Sequence, residues 1–131
     1  LMTMLAVGCV RGKEVKAVVS GLLKCDSAFH AKVQLLDLDD FNPDDEFDKP
    51  YEIVVTPERP THTEAFQIHG SASDWNAAVE PRLVIEHTCG GVRKRICKDY
   101  GEIDEDFTEM EIVYLKRNNN DFFECTTEFQ S

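Results

Sequence analysis

The sequence predicts an all-β protein, a sandwich of seven to eight strands that disulfides hold together. Apolar and polar residues alternate with a period of two along most of the chain, and no segment shows the 3.6-residue period of a long amphipathic helix. Short polar stretches containing Gly, Pro, Asn or Asp separate the alternating runs, as they do in sandwiches and open barrels. Four cysteines stand at the edges of these runs.

The chain from residue 13 onward divides into seven strand-like segments. The first and longest places alternate residues on one face, namely Val15, Ala17, Val19, Gly21 and Leu23. The other six segments are residues 31–37, 51–55, 64–69, 82–87, 92–97 and 109–116. The pair Gly90-Gly91 is typical of a β-hairpin turn, so we expect the fifth and sixth segments to pair.

The cysteines indicate an oxidising compartment. Cys9 lies in an apolar N-terminal run, and the four others form an even set in a small acidic domain. This favours disulfides over zinc, because the zinc-binding pattern CxxC does not occur. Four cysteines permit three pairings. We expect Cys89 to bridge to Cys97 across the hairpin, and Cys25 to bridge to Cys125 between the two ends of the domain.

Residues 1–12 are interpreted as the remnant of a signal peptide, and residues 13–131 as one domain. The apolar run over residues 1–10 is too short to span a membrane. Val10 and Gly12 occupy the −3 and −1 positions of a cleavage site before Lys13. A buried first strand is the alternative interpretation. A cleaved leader together with disulfides predicts a secreted, extracellular protein.

The charge of the chain excludes one class of partner. The 131 residues include 25 acidic and 14 basic side chains, a formal net charge of −11. Such a surface repels nucleic acid, so we expect no nucleic-acid partner. The charge is uneven, because residues 37–48 hold seven acidic residues and a basic cluster follows the hairpin turn.

The acidic stretch offers oxygen ligands of the kind that Ca²⁺ binds. Its candidate metal ligands are Asp37, Asp39, Asp40, Asp44 and Asp45. The stretch lacks the central Gly and the terminal Glu of an EF-hand loop. A solvated acidic turn that binds no cofactor is therefore the favoured interpretation, and a loose calcium site is the alternative.

The basic cluster consists of Arg93, Lys94, Arg95 and Lys98, and it is the candidate binding site for a lipid phosphate. On a strand, Arg93 and Arg95 share one face and Lys94 lies on the other. Each basic residue contributes about 1 kcal/mol at an anionic membrane surface, so the cluster is weak by itself. The alternative is that these residues pair with acidic residues of the segment 102–111.

Several segments together resemble the nematode transthyretin-like family of small secreted proteins. The resemblance covers nearly all of residues 13–131. It combines an aspartate-rich loop after the second strand with the strand Leu83-Val-Ile-Glu-His-Thr-Cys89. Further matching segments are Gly21-Leu-Leu-Lys-Cys25, Val33-Gln-Leu-Leu-Asp37 and Phe66-Gln-Ile-His-Gly70. The chain departs from the family at Glu64-Ala65, where a glycine is usual.

The resemblance implies a transthyretin-like β-sandwich with a binding function. One member of the family bridges phosphatidylserine on apoptotic cells to an engulfment receptor on the phagocyte. The resemblance therefore implies a secreted adaptor with these two partners, acting as a monomer or a homodimer. The alternative is a carrier of a small apolar ligand or peptide, which requires a tetramer with a central channel.

An enzymatic function is not expected. The transthyretin fold is shared with a hydrolase of 5-hydroxyisourate that uses histidines, an arginine and a C-terminal Tyr-Arg-Gly-Ser. The present sequence has Glu128-Phe-Gln-Ser131 there and contains no Gly-X-Ser-X-Gly motif. Its four histidines are interpreted as structural residues on strand faces, and they are His30, His62, His69 and His87.

Overall fold

The computed structural model describes residues 13–38, 46–47, 51–58, 62–74, 79–117 and 121–130. Nine strands form within these ranges: β1 (Lys13–Lys24), β2 (Phe29–Asp37), β3 (Glu46–Phe47), β4 (Tyr51–Val55), β5 (Thr63–Asp74), β6 (Pro81–His87), β7 (Lys94–Asp99), β8 (Phe107–Tyr114) and β9 (Phe123–Glu124). The first sheet has the order β3-β5-β1-β8, and the second has the order β4-β2-β6-β7-β9. The predicted leader, residues 1–12, lies outside the described residues.

The predicted all-β architecture is confirmed, and the two sheets pack face to face as a sandwich. Each of the seven predicted segments corresponds to one strand, and β4 has the predicted bounds. The two further strands, β3 and β9, are two residues long. A period of two cannot be recognised in so short a segment. None of the described segments is a helix long and apolar enough to cross a membrane.

The first sheet brings the beginning and the end of the domain together. β1 pairs with β5 in antiparallel fashion over its whole length, and on its other side it pairs in parallel with β8. Gly21 lies between Phe66 of β5 and Glu111 of β8. A Cβ atom at Gly21 would collide with the carbonyl oxygen of Glu111, so the close approach of β8 depends on this glycine.

The core lies between the two sheets and is built from the alternate residues that the sequence pattern indicates. β1 contributes Ala17, Val19 and Leu23, each at most 1% exposed. The second sheet contributes the inward residues of β2, β4 and β6, which are Phe29, Ala31, Val33, Leu35, Ile53, Val55, Leu83 and Ile85. Burial of these apolar side chains is the dominant favourable term in folding.

A C-terminal segment, residues 125–130, crosses the outer face of the second sheet. The side-chain amide of Gln34 donates to the carbonyl oxygen of Gln130 at 2.6 Å and accepts from its N–H at 2.8 Å. The ring of Phe129 lies beneath the cationic groups of Lys32 and Arg95, at 5.3 and 5.4 Å. This cover explains why residues 33–37 of β2 are buried on both faces, a pattern that a sandwich strand with one solvent-facing side does not show.

The disulfides are present, but the predicted pairing was wrong. Cys25 is joined to Cys89 and Cys97 to Cys125. In the register of the β6–β7 hairpin, Cys97 lies opposite Val84, on the outer face of the second sheet. Cys89 belongs to the core between the sheets. The two cysteines therefore lie on opposite faces of the sheet, where one bridge cannot join them.

Candidate functional site

The predicted basic cluster is placed on β7 and the residue before it, and most of its charges face carboxylates. Arg95 donates to Glu86 with an Nη2–Oε2 distance of 2.6 Å, and Arg93 Nη1 lies 3.7 Å from the other oxygen of Glu86. Arg95 pairs with Glu86 in register on the outer face. Lys94 is exposed, and it lies on the opposite strand face as predicted.

Lys98 is separated from the other three cations because it points between the sheets. Its Nζ lies 2.9 Å from Oε2 of Glu111, a buried carboxylate on β8. Tyr100 donates its hydroxyl to the same carboxylate at 2.7 Å. Burial and this carboxylate raise the pKa of Tyr100 far above its usual range. Lys98 thus meets an acid of the segment 102–111, as the alternative interpretation expected, whereas Arg93 and Arg95 meet Glu86 instead.

Of the predicted calcium ligands, only Asp37 lies within the described residues. Its side chain is buried at the end of β2, and Oδ1 accepts the backbone N–H of Glu80 at 3.0 Å. Leu38 N–H in turn donates to the carbonyl of Glu80 at 2.9 Å. Asp37 therefore ties the end of β2 to the chain entering β6. The other four candidates, Asp39, Asp40, Asp44 and Asp45, fall outside the described residues, so the calcium site stays a prediction.

The histidines are distributed over different parts of the sandwich. His87 is fully buried, and its Nδ1 accepts the backbone N–H of Cys89 at 3.1 Å. Burial, and secondarily the charge of Lys94, lower the pKa of His87. His30 and His87 line an open cleft of about 200 Å³ on the second sheet, whereas His69 lines a cleft of about 320 Å³ on the first sheet.

A third cleft, which we call the Tyr114 cleft, gathers cations that the sequence interpretation did not single out. Its volume is about 310 Å³, and its lining residues are Lys24, Cys25, Asp26, Thr63, Tyr114, Lys116 and Arg117. The parallel pairing of β1 with β8 builds it, because Lys24 and Tyr114 are register partners at the ends of these strands. Leu115 N–H donates to the carbonyl of Lys24 at 2.9 Å, which extends the β1–β8 pairing by one residue.

The charged groups of the Tyr114 cleft surround an aromatic ring. Lys24 Nζ lies 5.7 Å and Arg117 Cζ lies 5.0 Å from the ring centre of Tyr114. Lys116 Nζ lies 3.3 Å from Oδ2 of Asp26, and both side chains are exposed. The cleft therefore presents three cations and one carboxylate in a chain whose net charge is −11.

An exposed apolar stripe leads away from this cleft along β8. Met110, Ile112 and Tyr114 point outward from the first sheet and are 68%, 53% and 41% exposed. Their register partners on β1 are Ser20, Leu22 and Lys24. On the other outer face, the C-terminal segment covers Val84 and Leu36, and both are buried. The C-terminal segment thus covers part of the second sheet, on which Val54 and Phe123 remain exposed, whereas β8 exposes its apolar residues in one contiguous stripe.

The fold and these sites define a class of protein, a disulfide-linked β-sandwich with a C-terminal segment across one outer face and an exposed apolar stripe on the other. The two disulfides fit an oxidising, extracellular environment. Comparison with protein-family models, with curated protein sequences and with solved structures finds no match. The two sheets show a β-sandwich, and its assignment to the transthyretin-like form stays a proposal.

Proposed function

We propose that the protein is an extracellular, non-enzymatic binding protein that recognises membranes containing phosphatidylserine. The observation that carries the proposal is the apolar stripe on the outer face of the first sheet, formed by the exposed side chains of Met110, Ile112 and Tyr114. Contiguous exposed apolar side chains on a small domain mark interaction surfaces. The stripe ends at the Tyr114 cleft, whose cations suit an anionic surface.

The resemblance to the nematode transthyretin-like family supports the choice of lipid and the role of adaptor. An adaptor between a dying cell and a phagocyte needs two separate surfaces, one for the membrane and one for an engulfment receptor. The outer faces of a two-sheet sandwich point in opposite directions, so both partners can bind at once. The transthyretin-like form of the sandwich, a receptor partner and a homodimer belong to this proposal.

A carrier of a small apolar ligand is less well supported. Between the described strands, side chains such as Phe29, Leu35 and Ile85 fill the space and are at most 2% exposed. The clefts of about 200 to 320 Å³ are open to solvent, and each is lined in part by charged side chains. Buried ligand sites are instead enclosed and mostly apolar. A carrier would need a cavity formed between several copies of the chain.

Vesicle co-sedimentation tests the proposal. The protein is mixed with phosphatidylcholine vesicles and with mixed phosphatidylcholine–phosphatidylserine vesicles, and binding is expected only to the latter. Ile112→Ser is expected to weaken binding by about tenfold, because the isoleucine side chain no longer enters the apolar part of the bilayer interface. Val54→Ser is the matched control, since Val54 is also 53% exposed but lies on β4 of the other sheet.

Two outcomes would contradict the proposal. Equal binding to phosphatidylcholine vesicles removes the claim of lipid recognition. Binding that is unchanged by Ile112→Ser and by Met110→Ser removes the first sheet as the membrane-facing surface. Vesicle binding measured with a chelator tests the calcium alternative. If a calcium site mediates binding, the chelator and the double substitution Asp44→Asn with Asp45→Asn should weaken binding to the same extent.

A further inference from the structure

We propose that the Tyr114 cleft is the headgroup site, and that it distinguishes phosphatidylserine from other anionic phospholipids through Asp26. This inference rests on the proposed function and names the residues that perform it. The cleft is a different place from the basic cluster on β7, since it is formed by the ends of β1 and β8 and by the chain that follows each of them.

The charges that surround the cleft match those of the headgroup. A phosphatidylserine headgroup carries two anionic groups, a phosphodiester and a carboxylate, and one cationic ammonium. The cleft offers Lys24, Lys116 and Arg117 to the anionic groups and the carboxylate of Asp26 to the ammonium. Its volume of about 310 Å³ is at the lower end of the range for small-molecule sites, which suits a small polar group.

Two cations of the cleft, Lys24 and Lys116, are less tightly held than Arg95 on β7. Among the described residues, no carboxylate lies within 4.0 Å of Lys24 Nζ, and this group instead makes a cation–π contact with the ring of Tyr114. Lys116 and Asp26 pair at 3.3 Å with both side chains more than half exposed. Such a pair contributes little to stability and exchanges readily for ligand groups. Arg95, by contrast, is held by Glu86 and half-buried against the ring of Phe129.

The position of the cleft also fits a membrane surface. Tyr114 lines the cleft and ends the apolar stripe, so Ile112 and Met110 lie beside the cleft on the same outer face. Aromatic side chains with a polar tip are favoured at the membrane interface. Once the stripe enters the bilayer interface, the cleft faces the headgroup layer, where each cation attracts anionic lipid.

The test compares two anionic lipids of equal net charge. Vesicle binding is measured with phosphatidylcholine vesicles containing either phosphatidylserine or phosphatidylglycerol, using the full chain with both disulfides intact. Phosphatidylglycerol lacks the ammonium group, so the wild-type protein is expected to prefer phosphatidylserine. Asp26→Asn is expected to abolish that preference, because it removes the carboxylate that receives the ammonium and releases Lys116 for either lipid.

Charge-removing variants locate the site. Lys24→Gln and Lys116→Gln are each expected to weaken binding to phosphatidylserine vesicles about fivefold, the effect of one basic residue at an anionic surface. Lys16→Gln is the matched control, since Lys16 is an exposed cation of β1 outside both sites, and Lys94→Gln tests the predicted basic cluster as the competing site. All of these side chains are at the surface, so melting temperatures should show that the variants stay folded.

The outcomes separate this inference from the proposed function. Vesicle binding that persists in Lys24→Gln and Lys116→Gln but falls in Lys94→Gln overturns the cleft while the lipid-binding function stands. A lipid preference that survives Asp26→Asn overturns the role of Asp26.

If phosphatidylserine vesicles do not bind at all, the proposed function fails, and O-phospho-L-serine is then titrated while backbone amide resonances are followed. Shifts confined to the cleft assign it to a free phospho-amino acid and overturn the lipid as its ligand. If no resonance shifts, the cleft is overturned as a binding site altogether.

Discussion

Lys98 on β7 and Glu111 on β8 form an ion pair between the two sheets, with Nζ 2.9 Å from Oε2. Both side chains are largely buried, and Tyr100 donates its hydroxyl to the same carboxylate. The rings of Tyr100 and Phe122 also lie within 6 Å of Lys98 Nζ. The pair joins the two sheets at β8, which is the edge strand of the first sheet.

Removing the cation of this pair should destabilise the domain strongly. Lys98→Met is expected to lower the free energy of unfolding by about 3 kcal/mol, because it leaves Glu111 buried without its counter-ion. Urea unfolding at neutral pH measures this difference. The control is Lys16→Met, which breaks an exposed pair with Glu14 and should cost at most about 1 kcal/mol. Equal effects of the two variants would contradict a structural role for the interior pair.

The buried His87 should make stability depend on pH. Its folded-state pKa is lowered below the ordinary value of 6.5, so the unfolded chain binds the proton more readily than the folded one. The stability that the neutral, buried His87 contributes is therefore fully present above pH 6.5 and is lost as the pH falls below that value. We expect urea midpoints to fall between neutral and mildly acidic pH.

A substitution isolates the contribution of His87. His87→Asn keeps an acceptor for the Cys89 N–H but does not titrate, so the fall in the urea midpoint with pH should become shallower even though the variant is less stable throughout. His30→Asn is the control, because His30 is exposed on the neighbouring strand β2. A slope that is the same in His87→Asn and in the wild type would assign the pH dependence to other groups.

Local patterning predicted the strands but not what covers them. The alternation of Val15, Ala17 and Val19 was sufficient to place β1, because strand faces follow from a period of two. The burial of Gln34 and Leu36 on the other face of β2 depends on residues 125–130, which lie about 90 positions away in sequence. No local pattern in residues 31–37 contains that information.

The disulfide pairing and the Tyr114 cleft were missed for related reasons. The hairpin was predicted correctly, but the sequence pattern did not define its register, and the register decides which face of the sheet a cysteine occupies. The loop between β6 and β7 spans residues 88–93, so Cys97 lies opposite Val84 and away from Cys89. The cleft depends on the parallel pairing of β1 with β8, which joins residues 90 positions apart. The available signal was the presence of basic residues at the end of β1 and after β8, namely Lys24, Lys116 and Arg117.

The parallel pairing of β1 with β8 should depend on Gly21. Gly21→Ala is expected to lower the free energy of unfolding by about 1 to 3 kcal/mol, because the new Cβ collides with the carbonyl oxygen of Glu111 and the backbone must shift. Hydrogen exchange should show faster exchange at the amides of β8 than in the wild type. Gly101→Ala serves as the comparison, since nothing lies within 4 Å of its Cβ position and only the positive φ is unfavourable. It should leave exchange in β8 unchanged.

The Cys97–Cys125 disulfide should hold the C-terminal segment on the second sheet. Replacing both cysteines by alanine removes a bridge across a sequence separation of 28 residues, which is expected to cost about 3.5 kcal/mol in the chain-entropy model. The segment should also detach more often, which exposes the bond after Glu128 to a protease that cleaves after glutamate. Cleavage at that bond, followed by mass spectrometry under conditions where the domain is folded, is expected to be faster in the variant.

The other disulfide provides the matched control for this prediction. Replacing Cys25 and Cys89 by alanine removes a bridge with a separation of 64 residues and should cost slightly more stability, about 4 kcal/mol. It leaves Cys125 bonded, so the contacts of Phe129 with Lys32 and Arg95 and of Gln130 with Gln34 remain in place. Cleavage after Glu128 should then stay slow while the core is weakened. Faster cleavage in both variants would mean that global unfolding, rather than release of the segment, exposes the bond.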